Sequence, residues 1–184
     1  FVIQSTYAQE LADDFGRKVR NQVQGEDFNK VFPQVALRSD STSAKRFHTI
    51  HGGTYSAVGA GGAITGRGAH LLIIDDPIKG REDAESEVQR RNLLEWYKSV
   101  AYTRLQPGGK IIVIQTRWHQ DDLAGYILNE SGEDWKVLDL PAIDDKGNAL
   151  WPEAYSKTDL QKIQNTVGER VWQALYQQRP SNEE

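Results

Sequence analysis

Two adjacent carboxylates, Asp75 and Asp76, follow the apolar run Leu71 to Ile74 and are followed at once by Pro77. Like charges this close repel, a low-dielectric setting magnifies the repulsion, and a bound cation removes it. The chemistry such a pair can do is that of the acidic half of a nucleotide triphosphatase. Asp75 would position Mg²⁺ through water, and Asp76 would orient or deprotonate the attacking water. The plainer alternative is a solvated turn, since Asp and Pro are ordinary turn residues. Thr116, just past a second apolar run, Ile111 to Ile114, could sense a γ-phosphate or couple its loss to movement. Arg67 stands in the glycine-rich loop Gly59 to Gly68. It is either a surface side chain or an arginine finger acting on a neighbouring subunit's nucleotide. No Gly-Lys-Ser/Thr closes that loop, so it is not a Walker A phosphate loop.

These residues need a sheet to position them. Leu71 to Ile74 reads as a strand covered on both faces, as in the middle of a parallel sheet. Pro77 cannot continue a central strand, so the acids fall at its carboxyl end, where open α/β sheets bind ligands. Ile111 to Ile114 reads as a second buried strand, and Trp135 to Leu140 as a third. Phe1 to Ser5 is a short strand, and Thr6 with Gln9 has capping-box spacing. Leu11, Phe15, Val19 and Val23 give the following helix its apolar stripe up to Gly25. Residues 26–45 lose periodicity and read as loop, and residues 46–58 read as a hairpin around His51-Gly52-Gly53. His48 and His51 have no acid at ligand spacing and are read as structural.

A helix starting after Ser86 carries Leu93, Trp96, Tyr97, Val100 and Ala101 on one face and should stop at Pro107-Gly108-Gly109. Asp121 and Asp122 fall in the first turn of a further helix, where they suit its dipole. Two helices, around residues 158–164 and 169–178, close the chain. The basic residues Arg17, Lys18, Arg20, Lys45, Arg46, Arg90 and Arg91 are dispersed and read by default as solvated faces.

With 184 residues, 38% of them hydrophobic and 26% charged, the chain can bury a core and is not a disordered tract. It has no cysteine, which excludes disulfides and thiolate metal sites and points to a cytoplasmic compartment. A net charge of −4 makes any nucleic-acid contact a local patch. No apolar run is long enough to cross a membrane.

Taken together, Gly66-Arg67-Gly68 ahead of Leu71-Leu-Ile-Ile-Asp-Asp-Pro-Ile-Lys79, the run Thr116-Arg-Trp-His-Gln-Asp-Asp-Leu123, and the closing Trp172-Gln-Ala-Leu-Tyr-Gln-Gln-Arg-Pro180 resemble the ATPase domain of tailed-phage terminase large subunits. The resemblance runs over nearly the whole chain. It implies an α/β fold: a three-layer P-loop NTPase core of the ASCE-like kind, with a largely parallel sheet incomplete at its N-terminus. Residues 1–180 would form the Walker B and coupling half of the domain, and residues 181–184 would begin a linker to a nuclease domain. It implies ATP hydrolysis coupled to packaging of double-stranded DNA into a prohead, in the host cytoplasm, by a homo-oligomeric ring working with a portal protein and a terminase small subunit. Asp75 matches the Walker B aspartate holding Mg²⁺, Asp76 the catalytic acid, Thr116 the coupling motif and Arg67 the arginine proposed to act in trans. Most members have glutamate where this chain has Asp76. Walker A should precede Phe1. The rival readings are a related Walker-motif helicase or translocase, a two-metal nuclease built on Asp75, Asp76, Asp121 and Asp122, and a decayed prophage segment without activity.

Overall fold

A computed structural model describes residues 1–64, 66 and 68–181. The chain divides into two compact units, residues 1–79 with 91–114, and residues 80–90 with 115–184. The first holds the sheet. Its strands are β1 (Val2–Thr6), β2 (Leu37–Thr42), β3 (Arg46–Thr49), β4 (Thr54–Gly59), β5 (Ala69–Asp75) and β6 (Leu105–Ile114), ordered β2-β3-β4-β1-β5-β6. β4, β1, β5 and β6 run parallel, while β2 and β3 add an antiparallel edge. The result is an α/β architecture with a mixed, mostly parallel sheet, compatible with a three-layer fold.

α1 (Gln9–Gln24) packs on β4 and β1 through its buried Ala12 and Gly16: Ala12 joins a core of Phe47, Tyr55 and Ala57, with Val2, Val19 and Leu37 against it, so of the expected stripe only Val19 meets this core. Phe47 and Tyr55 stack with centroids 4.9 Å apart. Gly16 allows the approach: a Cβ there would lie 2.0 Å from the carbonyl oxygen of Ala44. Arg17 and Lys18 face solvent, as expected, with Arg17 paired to Asp14 and Lys18 over the Phe15 ring. Ile3, Val58, Leu72 and Ile74 are buried on the other face of the sheet. α2 (Glu26–Val31) completes the N-terminal part of this unit.

α4 (Glu87–Trp96) crosses the division between the units, after the short α3 (Arg81–Glu85). It continues as a π turn, Tyr97–Ala101, and a 3₁₀ turn, Tyr102–Arg104. The Trp96 indole N–H donates to the carbonyl of Gly62 at 3.0 Å, fastening the glycine-rich loop. The second unit carries α5 (Leu123–Asn129), α6 (Lys157–Val167), α7 (Glu169–Val171) and a π turn, Trp172–Tyr176. α6 begins in a full capping box between Ser156 and Asp159. No described helix is long and apolar enough to cross a membrane.

Several expectations are corrected. Residues 26–45 are not loop: they hold α2 and β2, an edge strand whose Arg38 and Asp40 pair with each other in solvent. Such a strand is held by backbone bonds to β3 and needs no apolar period. Thr6 does not cap α1 but ends β1, and the cap, Ala8, makes no side-chain bond. Pro107-Gly108-Gly109 does not stop a helix. It forms an irregularity inside β6, where Gly108 takes φ +77° and a Cβ on Gly109 would come 3.0 Å from the Ala69 carbonyl. β6 is a strand as expected but not a buried one: Ile112 and Ile114 are 44% and 52% exposed, because β6 is the outermost strand of the described sheet. Trp135 to Leu140 forms no strand. The segment finds no ladder partner among the described residues, and Leu138 is 80% exposed.

Candidate functional site

β5 ends on Asp75, which lies in register with Ile114 of β6. Asp76 then takes φ +42°, the left-handed region that Asp and Asn tolerate better than other side chains. Two backbone bonds hold it there: its N–H donates to the Ile114 carbonyl at 2.8 Å, and its carbonyl accepts from the Tyr7 N–H at 3.2 Å. The second bond ties the tip of β5 to the tip of β1. Pro77, buried, ends the strand as its chemistry requires.

The half-buried Asp75 carboxyl is pushed above the ordinary carboxylate range, first by burial and then by the neighbouring charge of Asp76. An acid whose folded-state pKa is raised favours folding in its protonated form. Its contribution is complete below the ordinary carboxylate range and is lost as pH rises through the raised value. Asp75→Asn is therefore expected to raise the thermal midpoint of the chain near neutral pH, and the gain should vanish as pH falls below the carboxylate range. A lower midpoint for the variant at neutral pH would show that the carboxylate is stabilised where it sits.

Thr116 lies in the second unit, half-buried, on the segment that follows β6. That segment is pinned by contacts the sequence did not reveal. The Arg117 Nε donates to both carboxylate oxygens of Asp122, at 3.1 and 3.0 Å. Asp122 caps α5 by accepting the Gly125 N–H at 2.8 Å. Burial pushes the Asp122 carboxyl upward, and Arg117 together with the Gly125 N–H pulls the other way. The helix-start role expected of the Asp121-Asp122 pair thus falls to Asp122 as the cap, while Asp121 stays outside α5. The backbone N–H of Arg117 donates to Gln178 Oε1 at 3.1 Å, and Gln178 Nε2 donates to the Leu175 carbonyl at 2.8 Å. Gln178 sits at φ +59°, a strained setting for its type. Gln177 grips Ile143 through both its N–H and its carbonyl, at 3.0 and 2.9 Å. The closing Gln177-Gln178 pair is therefore a set of side-chain clamps, and Tyr176 adds its backbone carbonyl to the Ala142 N–H at 2.7 Å.

Arg67 lies outside the described residues. His48 meets the Ser41 hydroxyl, and His51 Nε2 meets the Gln34 carbonyl, which agrees with structural roles for both. Among the described residues no group of three or more His, Asp or Glu gathers to hold a metal. An Mg²⁺ site does not need one, because Mg²⁺ keeps several waters and is commonly held by one or two carboxylates plus substrate phosphates. The Asp75-Asp76 tip fits that donor set.

A mostly parallel α/β sheet with adjacent acids at the carboxyl end of an inner strand defines the class to which this fold and site belong. More particularly, the chain belongs to the terminase large subunits: residues 2–178 match the family described as terminase large subunit, T4-like-virus type, N-terminal. That family places the chain among phage DNA-packaging proteins. No individually curated protein matches it.

Proposed function

We propose that this chain is the Walker B and coupling half of a DNA-packaging ATPase, in which ATP hydrolysis drives double-stranded DNA into a prohead. The observation that carries the reading is the acid pair at the carboxyl end of β5, inside the parallel block of a terminase large subunit domain. In this reading Asp75 would hold Mg²⁺ through water, and the cation would supply charge neutralisation for the phosphates of the nucleotide. Asp76 accepts the hydrogen bond of the attacking water and draws off its proton as the water oxygen bonds to the γ-phosphorus and the bond to ADP breaks. Thr116 answers the loss of the γ-phosphate, and Arg67 acts on the nucleotide of a neighbouring subunit. Double-stranded DNA, a portal protein, a terminase small subunit and further copies of the chain in a ring are the partners this activity requires.

The sequence holds no Gly-Lys-Ser/Thr phosphate-binding loop. Without that loop the chain lacks the lysine and the N–H nest that cradle phosphates. Isothermal calorimetry of the chain with Mg-ATP is therefore expected to show no saturable micromolar binding, and such binding would contradict the division of labour proposed. The same preparation with Mn²⁺ and DNA is expected to cleave nothing. Cleavage without ATP would favour the two-metal nuclease.

A further inference from the structure

The last two residues of β1, Ser5 and Thr6, are 0% and 1% exposed, and neither hydroxyl has a hydrogen-bond partner among the described residues. Buried hydroxyls are rarely left so, because each loses its bonds to water and gains nothing in return. The two point to opposite faces of the sheet. Val2 packs into the α1 core and Gln4 accepts from the Tyr55 hydroxyl, so Thr6, two residues further, shares their face. On that face Thr6 is level with Gly59 of β4. On the β5 side the ladder ends at the Ser5–Ile74 pair, and Thr6 and Asp75 are the next residues of the two strands.

Gly59 offers no side chain. Gln9, at the start of α1, already uses its amide on the Gly59 N–H at 3.0 Å, on Asp13 at 2.6 Å and on the Ala57 carbonyl at 3.3 Å. Of these two neighbours, Gly59 by register and Asp75 by the strand end beside it, Asp75 is the one whose side chain can take the Thr6 proton in a hydrogen bond. The Tyr7–Asp76 backbone bond keeps the two strand tips side by side.

We infer that Thr6 is a positioning residue for Asp75: its hydroxyl donates to the Asp75 carboxylate when that group holds a divalent cation, fixing the orientation in which it does so. The inference rests on the ATPase reading of the acid pair. It assigns a role to β1, which that reading leaves idle. The isolated fold carries the unpaired hydroxyl as a cost, which the loaded site turns into a bond.

The test compares Thr6→Val, which keeps the shape and removes the hydroxyl, with Thr6→Ser, which keeps the hydroxyl. Two readouts are needed. In this chain without cation, Thr6→Val is expected to raise the thermal midpoint. A lower midpoint, or failure to fold, would show that the hydroxyl already has a structural partner and would overturn the inference. In the full gene product with ADP, Mn²⁺ affinity read by electron paramagnetic resonance is expected to fall roughly tenfold or more in Thr6→Val, the size typical of groups that orient a metal ligand. Thr6→Ser should stay within about twofold of the parent, since it keeps the orienting hydroxyl. Unchanged affinity in Thr6→Val, or a loss that serine does not rescue, overturns the role of Thr6. Asp75→Asn runs alongside as a control. If it abolishes Mn²⁺ binding while Thr6→Val changes nothing, only the inference fails, and if it too leaves binding intact, the cation site itself is wrong.

Discussion

Asp122→Ala is expected to destabilise the second unit by about 3 kcal/mol, read as a lower urea midpoint at unchanged slope. The substitution removes a carboxylate with no solvent exposure and leaves the Arg117 guanidinium, 17% exposed, without its partner. Breaking a buried pair from one side typically costs about 3–5 kcal/mol, and the small remaining exposure of Arg117 puts this case at the lower end. Loss of the α5 cap contributes roughly 1 kcal/mol of the same total. Asp122→Asn keeps an oxygen for the Gly125 N–H and should lose less. A loss below about 1 kcal/mol for Asp122→Ala would mean that the pair does not fasten the segment after β6.

Asp76→Asn is expected to leave the fold intact and to lower ATP turnover by the full gene product roughly 10²-fold or more, the size of effect that a well-placed proton acceptor supplies. Asparagine suits this test because it tolerates the left-handed setting that φ +42° imposes, so the variant changes chemistry and not conformation. Alanine would mix the two by adding backbone strain. The amide can still bind a water but cannot take its proton. Turnover should therefore fall while the apparent affinity for ATP changes little, the pattern of an interaction made only in the transition state.

The acid tip was legible because three local signals agree: an apolar run, two acids and a proline that forbids continuation. The hairpin of β3 and β4 was legible from its Gly-Gly turn, and α1 from its stripe. What stayed hidden depends on partners distant in sequence. β2 shows no apolar period because it sits at a solvated edge and is held by its backbone. Trp135 to Leu140 has the composition of a strand, yet composition cannot supply a neighbour to pair with. Pro107-Gly108-Gly109 has the chemistry of a stop, and the same chemistry permits a bulge. The Arg117–Asp122 pair crosses a loop, where no helical or strand period predicts contact. Thr6 looked like a cap because threonine before a helix usually is one, and only its pairing with Gly59 of β4 shows it as the end of a central strand.

Steady-state ATP hydrolysis by the full gene product, with and without double-stranded DNA and beside its Asp76→Asn variant, decides whether the tip of β5 is catalytic. Turnover should be stimulated by DNA in the parent and should collapse in the variant while nucleotide binding persists. Equal turnover in the two would make Asp76 a turn residue and would remove the catalytic edge from the tip of β5.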